Sequence, residues 1–335
     1  MANFIYKATR YEFWPWYLMY VPILPVYFYG VLKTRKLLYF TATNPSIDMG
    51  GFFGEHKDEI LDLIPENYKA KGVFLKGKKS KEEFDSLIKT NNLYFPLVAK
   101  PNVGERGEGV RIVRSLDELV TYSEQETDYI VQEYIDYPLE LGVLFYKYPN
   151  DSKGRVSSIT LKAFLTVRGD GSSTVEQLLQ NDKRGRIYLS MVKREFPKRL
   201  SVVPEKGEDF VVHRIGNHVK GTRFIDANEH ISNMLNDTFS ALSNQVSGVY
   251  YGRYDLKVPT FEDLEEGRNI KIFELNGVSS EPGHIYDQTT VFKAYSSLAH
   301  HWLALVAISH QNIKKGVKTT PLSIFFKKVL NHFFG

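Results

Sequence analysis

Glu274 and Asn276 stand two residues apart in FELNGVSSEPGH, the stretch from Phe273 to His284, where a strand reads as ending. Side chains at i and i+2 of a strand share one face, so these two oxygen donors converge on a single small target. A hard metal ion is the obvious candidate, because magnesium takes oxygen ligands and is usually held jointly with substrate phosphates. A second chemistry-bearing stretch is YFPLVAKPNVGERGEGVRIV, in which Lys100 closes a strand and Gly104, Gly107 and Gly109 fill the following loop. Glycines let the backbone approach a phosphate chain and turn its N–H groups inward, while the lysine adds positive charge. An ordinary hairpin is the competing reading. A strand, not a helix, follows the loop, which excludes the dinucleotide fold and the P-loop.

The elements that carry these residues alternate between strands and short helices. DYIVQEY from Asp128, LELGVLFYKY from Leu139 and RVSSITLKAFLTV from Arg155 read as strands, the last two joined by the turn PNDSKG. Ser115 to Glu118 forms a capping box that opens a helix to about Gln125, and Lys78 to Lys89 reads as a solvated helix face. LLYF after Lys36 reads as a strand, and a short helix is expected from His56 to Ile64. The fold class is α+β in two lobes.

The 335 residues are enough for two or three lobes. With a net charge of +4 and acidic residues interspersed among the basic ones, nucleic acid is set aside as a partner. The absence of cysteine excludes disulfide scaffolds, zinc–thiolate sites and thiol nucleophiles.

Trp14 to Leu32, WPWYLMYVPILPVYFYGVL, is uncharged and precedes the cluster KTRK. Its length could span a bilayer, but Pro15, Pro22 and Pro25 oppose a regular helix. Tyrosines and tryptophans favour a water–apolar boundary. The leading expectation is an interfacial membrane anchor over residues 11–36; an aromatic arm buried against the protein or a second subunit competes, and a single spanning helix is third. The tail from Pro321, PLSIFFKKVLNHFF, has the composition of a second interface-lying helix.

In order, FPLVAKPNVGERGEGV, VQEYI, LELGV, RGDGSSTVEQLLQNDKRGR, GVYYGRYDLKV and FELNGVSSEPGH resemble the motifs of the ATP-grasp ligases, most closely the branch of D-alanine:D-alanine ligase and cyanophycin synthetase. The resemblance runs from roughly Leu93 to Ile313. It implies an ATP-grasp fold of two α+β lobes over residues 91–313, preceded by an aromatic, proline-rich segment (1–40) and a reduced region (41–90), and followed by an amphipathic tail (314–335). It also implies that Lys100 and the loop from Gly104 to Gly109 meet the ATP phosphates. Glu133 opens the hinge where adenine meets the main chain near Tyr134 and Ile135, and Glu140 takes the ribose hydroxyls. Asp255, Glu274 and Asn276 match the ligands of Mg2+, two ions being expected, and Arg253 matches the arginine on the transferring phosphoryl. Arg253 and Asp255 lie two apart, so a strand would aim both at one place. A surface ion pair is the bland alternative, worth about 0–1 kcal/mol.

The implied activity is a carboxylate–amine ligase working through an acyl phosphate, on small-molecule or envelope-precursor substrates, in the cytoplasm and peripheral to the inner face of the cell membrane. A carboxylase-type or carboxylate–thiol ligase on the same fold competes, as does a catalytically silent nucleotide-binding scaffold. Substrate contacts are expected from Glu55 in GGFFGEH, for which a plain helix N-terminus competes. Arg214, Asn217, Lys220 and Arg223 belong to a polar loop that either closes over substrate or is merely mobile. Glu281 would hold a cationic amine. His213 and His218 lack a third ligand and make no metal pair.

Overall fold

The computed structural model describes residues 10–54, 56–104, 107–125, 127–287 and 290–334. The chain enters through two short helices, α1 (Trp16–Tyr20) and α2 (Leu24–Thr34), separated by a 3-10 turn at Val21–Ile23. The prolines account for that division: Pro15 precedes α1, Pro22 sits in the turn, and Pro25 occupies the first turn of α2, where its missing N–H costs nothing. Among the described residues no helix is long and apolar enough to cross a membrane. LLYF does not form the expected strand. Tyr39–Ala42 is a 3-10 turn, held by Thr43 on Ser309 and by Asn312 donating to the carbonyls of Ala42 and Thr43.

The first lobe follows helix α3 (Lys57–Asp62). It comprises β1 (Gly72–Leu75), α4 (Lys81–Thr90), β2 (Leu97–Pro101), β3 (Arg111–Val113), α5 (Leu116–Ser123) and β4 (Tyr129–Glu133). Its antiparallel sheet runs β1-β4-β2-β3, so the lobe begins well before residue 91. Phe84 of α4 and Leu119 and Tyr122 of α5 pack on Leu97, Ala99 and Val131 of the sheet. Ser80 caps α4 with a complete capping box; at α5 Ser115 accepts from Glu118 N, while the Glu118 carboxylate reaches Arg114 N instead.

The second lobe contains β5 (Leu139–Tyr146), β6 (Arg155–Ala163), β7 (Thr166–Arg168), α6 (Val175–Asn181), α7 (Gly185–Glu195), β8 (Asp209–Val211) and β9 (Arg223–Asp226). It continues with α8 (Asn233–Gln245), β10 (Tyr251–Val258), α9 (Phe261–Glu266), β11 (Lys271–Asn276), α10 (Val291–Lys314) and α11 (Leu322–Phe334). Its main sheet runs β11-β10-β5-β6-β9, and β7-β8 form a separate ribbon packed on α6 and α7. One face buries Leu141, Val143, Tyr254 and Leu256 against Phe239 and Leu242 of α8. Strand alternation therefore leaves Glu140, Lys162, Arg253, Asp255 and Lys257 to the other face, toward the first lobe.

The region before the first lobe is tied to β10 and β11. Asn44 donates to the carbonyls of Gly50 and Tyr251 and accepts from the N–H groups of Tyr250 and Tyr251. Val278 and Ser279 donate to the carbonyls of Gly50 and Gly51. At Gly277 a side-chain carbon would lie 2.4 Å from the Gly50 oxygen, so only glycine lets the two segments touch.

Candidate active site

Asp255 on β10 lies directly opposite Glu274 on β11, and Arg253 opposite Asn276. Arg253 grips Asp255 in a two-point contact, Nε at 3.0 Å and Nη2 at 3.1 Å. Asn276 Nδ2 donates to the same carboxylate at 3.1 Å. Gly142 of β5 faces Asp255 across the sheet, and a side-chain carbon there would stand 3.1 Å from both Arg253 Cδ and Asp255 Oδ1. The glycine of LELGV thus clears the room that this pair occupies.

Two lysines unforeseen from sequence complete the network. Lys162 on β6 lies 3.2 Å from Asp255 and 3.6 Å from Glu140; Lys257 on β10 lies 3.8 Å from Glu140 and donates to the Ile135 carbonyl at 2.9 Å. Ser158, Thr160 and Lys162 are all buried polar residues two apart, so the period-two polar pattern of SSITLK is the sequence signal for Lys162. Burial pushes the Asp255 carboxyl up, but Arg253 and then Lys162 outweigh it and hold it below the usual carboxylate value. For Glu140 burial wins over Lys162 and Lys257, and its carboxyl is raised.

From the first lobe, Lys100 crosses to donate its ammonium to the Phe273 carbonyl at 2.7 Å. Burial, only partly offset by Glu274, lowers it to about 8. Gly104, Gly107 and Gly109 all have positive φ, at 157°, 70° and 70°, so the loop needs glycine for its backbone path. Gly107 lies against Ile215 and Asn217, and Gly216 lies over the Glu140 carboxylate, so the glycine loop and the 213–222 loop meet above the β5–β6 face.

These groups line one cavity of about 1090 Å³, together with Gly104, Gly107, Glu133, Tyr134, Ile135, Arg214, Asn217, Glu274, Asn276 and Glu281. Glu133 is engaged by Lys71 N at 2.9 Å and Lys271 at 3.3 Å, and Arg214 pairs with Asp136 at 3.1 Å. Three expected residues are not brought there. Lys220 turns away to Glu195 at 2.5 Å, because the turn at His218–Lys220 points it toward α7. Gly109 packs on Pro101 behind the loop, and Arg223 is an exposed residue of β9 outside the lining. Glu55 lies outside the described residues. His213 and His218 are engaged separately, His213 Nε2 donating to the Lys220 carbonyl and His218 pairing with Glu12 at 2.9 Å.

The entering arm also reaches the cavity. Tyr20 and Tyr286 both donate their hydroxyls to Glu281, and Glu12 binds Arg184 at 2.8 Å. The residues that could hold a divalent metal are Asp255, Glu274 and Asn276, an all-oxygen set on neighbouring strands. Glu274 makes no hydrogen bond or ion pair among the described residues, and the Asn276 amide oxygen likewise has no partner, so both are available to a cation. The donor set fits magnesium. Among the described residues no group of three His, Asp or Glu side chains is placed to hold a metal.

A model of the tubulin-tyrosine ligase family matches residues 63–145, well under half of the chain. No curated protein matches it by sequence. Among solved structures it is similar to D-alanine--D-alanine ligase from Bacillus anthracis, at 16% identity and TM-score 0.41 over 78% of this chain and 67% of that one. It is similar to VanG D-Ala:D-Ser ligase from Enterococcus faecalis, at 15% and 0.42 over 75% and 61%. A bifunctional glutathione synthetase from Pasteurella multocida is matched at 15% and 0.34 over 71% of this chain but 35% of that one. The chain thus spans little more than a third of the synthetase. D-alanine--D-alanine ligase, one of the two enzymes whose motif order the sequence resembles, is thus among the solved structures matched.

Proposed function

We propose that the chain is an ATP- and magnesium-dependent carboxylate–amine ligase of the ATP-grasp kind. The observation that carries this reading is the meeting, in one cleft between two sheets, of Lys100, Arg253, Asp255, Glu274 and Asn276. Lys100, Lys162, Arg253 and Lys257 bring four cations to the part of the cleft that holds Glu140, Asp255 and Glu274, where the phosphates would lie. A silent scaffold needs none of these groups together.

In this reading Lys100 and Arg253 hold the phosphates and the Gly104–Gly109 loop lies along them. Asp255, Glu274 and Asn276 would hold magnesium, which supplies charge to offset the phosphates. A carboxylate oxygen of the substrate attacks the γ-phosphorus, the bond to the β-phosphate oxygen breaks, and ADP leaves. The amine nitrogen then attacks the acyl carbon; the C–N bond forms, the bond to phosphate oxygen breaks, and the nitrogen's proton passes to solvent. Phosphoryl transfer of this kind needs positioning and charge neutralisation rather than a protein nucleophile. Glu281 is the group that would hold the amine. Peripheral contact with a lipid surface through the exposed face of α2 belongs to the same proposal.

The test is an ADP-release screen of amino acids, short peptides and polar lipid precursors against the full chain. Acceptor-dependent ADP release that is lost in Lys100→Ala is the expected result. ATP binding with no stimulation by any amine would sink the ligase and favour the scaffold.

A further inference from the structure

The cavity that holds the phosphate-binding residues does not end at Glu281. Beyond it the same space continues as a channel walled by Tyr27, Phe52, Phe53, Trp302, Leu305 and Phe325. Its aromatic rings are packed on one another, with centroids 4.4 Å apart for Phe52 and Phe53 and 5.9 Å for the stacked Phe52 and Phe325. At the outer end Leu322 and Phe326 of α11 line it while 47% and 58% exposed. The wall of this channel is therefore a run of neighbouring aromatic rings, from Tyr20 at Glu281 through Trp302, Tyr27, Tyr39, Phe40 and Phe52 to Phe325, that ends at exposed apolar side chains of α11. A small polar acceptor would leave that apolar wall in water.

Glu281 stands at the junction. Its two carboxylate oxygens accept the Tyr20 and Tyr286 hydroxyls, and no cation lies within ion-pair distance of it among the described residues. Neutral phenol donors orient the carboxylate without cancelling its charge, and Arg253 acts on it only through space because its guanidinium is hydrogen-bonded to Asp255, so a cation arriving there would make the direct ion pair that Glu281 lacks.

We infer that the acceptor is an amphiphilic amine: its ammonium head pairs with Glu281 and its apolar chain lies along the Tyr27–Phe52–Phe325 channel toward α11. Its role as acceptor rests on the ligase reading; its binding does not. Each methylene that moves from water into the channel strengthens binding by about fourfold, so chain length is what the site should read.

The test is calorimetric titration of the full chain without ATP, using dodecylamine, butylamine and N-lauroylglycine below their micelle-forming concentrations. Dodecylamine should bind more tightly than butylamine by about a hundredfold or more. It should bind more tightly than N-lauroylglycine, of similar chain but opposite head, by about tenfold. Glu281→Gln should erase the preference between heads. Leu322→Ser and Phe326→Ser, at exposed positions where the fold is spared, should weaken dodecylamine several-fold and leave butylamine unchanged. Equal affinity for the two amines, equal affinity for the two heads, or a chain-length effect untouched by both rim variants would overturn the inference. ATP binding is measured on the same samples with magnesium. ATP binding without amine selectivity removes only the amphiphile site, whereas amine selectivity without ATP binding removes the ligase and leaves that site standing.

Discussion

The Lys162 ammonium stands 3.2 Å from the Asp255 carboxylate, and both side chains are almost wholly shielded from water. Asp255 also carries the two-point contact from the half-buried Arg253, so one buried anion faces two cations. Removing the anion leaves Arg253 without its hydrogen-bonded carboxylate and Lys162 with Glu140 alone, at 3.6 Å. Asp255→Asn should destabilise the fold by about 3–5 kcal/mol, and adding Lys162→Met should recover part of that loss. Thermal unfolding followed by circular dichroism reads both; an unchanged midpoint in the single variant means that the network contributes nothing to stability.

In the proposed ligase, Lys100 would link alkaline pH to nucleotide use. Its ammonium, lowered by burial to about 8, is charged below that pH and neutral above it. The ratio kcat/KM for ATP reports groups of the free enzyme, so it should fall as pH rises through about 8. Lys100→Arg keeps its charge at every such pH and should remove the alkaline limb, whatever its absolute rate. A limb that persists in the arginine variant would assign it to another group.

His301 contributes to the acid side of stability, alongside His213 and His284, whose imidazoles burial also lowers. Burial pushes its imidazole down from 6.5 to about 4, and it is held neutral with Nδ1–H donating to the Ser297 carbonyl at 2.7 Å and Nε2 accepting from Ser157 at 2.9 Å. Between those pH values the unfolded chain binds the proton and the folded chain does not. Stability therefore falls as pH drops from 6.5 toward 4, by on the order of 3 kcal/mol in all. Urea unfolding at a series of pH values should show this slope, and His301→Gln should flatten it.

The outward face of α2 carries Phe28 and Leu32, 56% and 79% exposed, beside the exposed Lys33, Arg35 and Lys36. Apolar side chains ringed by basic ones favour an anionic lipid surface, with about 1 kcal/mol from each lysine or arginine near it. The protein should sediment with vesicles of phosphatidylglycerol and phosphatidylcholine more than with phosphatidylcholine alone, and Phe28→Glu with Leu32→Glu should reduce the difference. Equal sedimentation with both vesicles would end the membrane reading. Point changes serve better than removal of the arm, because Met19 and Ile23 are buried against Leu298 of α10.

What could be read from sequence was local. Glu274 with Asn276, and Arg253 with Asp255, were legible because strand alternation fixes which face a residue takes, and the glycine positions because only glycine follows that backbone. Lys162 and Lys257 obey the same alternation, yet a lysine in an apolar strand is usually solvated, and only pairing β5 with β6 and β10 brings them to Glu140. The Tyr20–Glu281 contact left no local trace at all. LLYF had strand composition, but its carbonyls are taken locally rather than by a sheet edge: Leu38 accepts from Thr41, Phe40 from Thr43 N, and Leu37 from the Tyr27 hydroxyl.

The Tyr20–Glu281 contact spans 261 residues and the Thr43–Ser309 contact 266, so the Glu281 end of the cleft joins segments far apart in sequence. Contacts of such high sequence separation carry the largest loop-closure cost and form late. During synthesis the first lobe, complete by Glu133, can fold while α10 is still unmade. The wall shared by Tyr20 and Glu281 therefore cannot form until Glu281 has been made, long after the first lobe, and a chain cut between the two lobes would keep the Lys100 strand and its glycine loop without that wall.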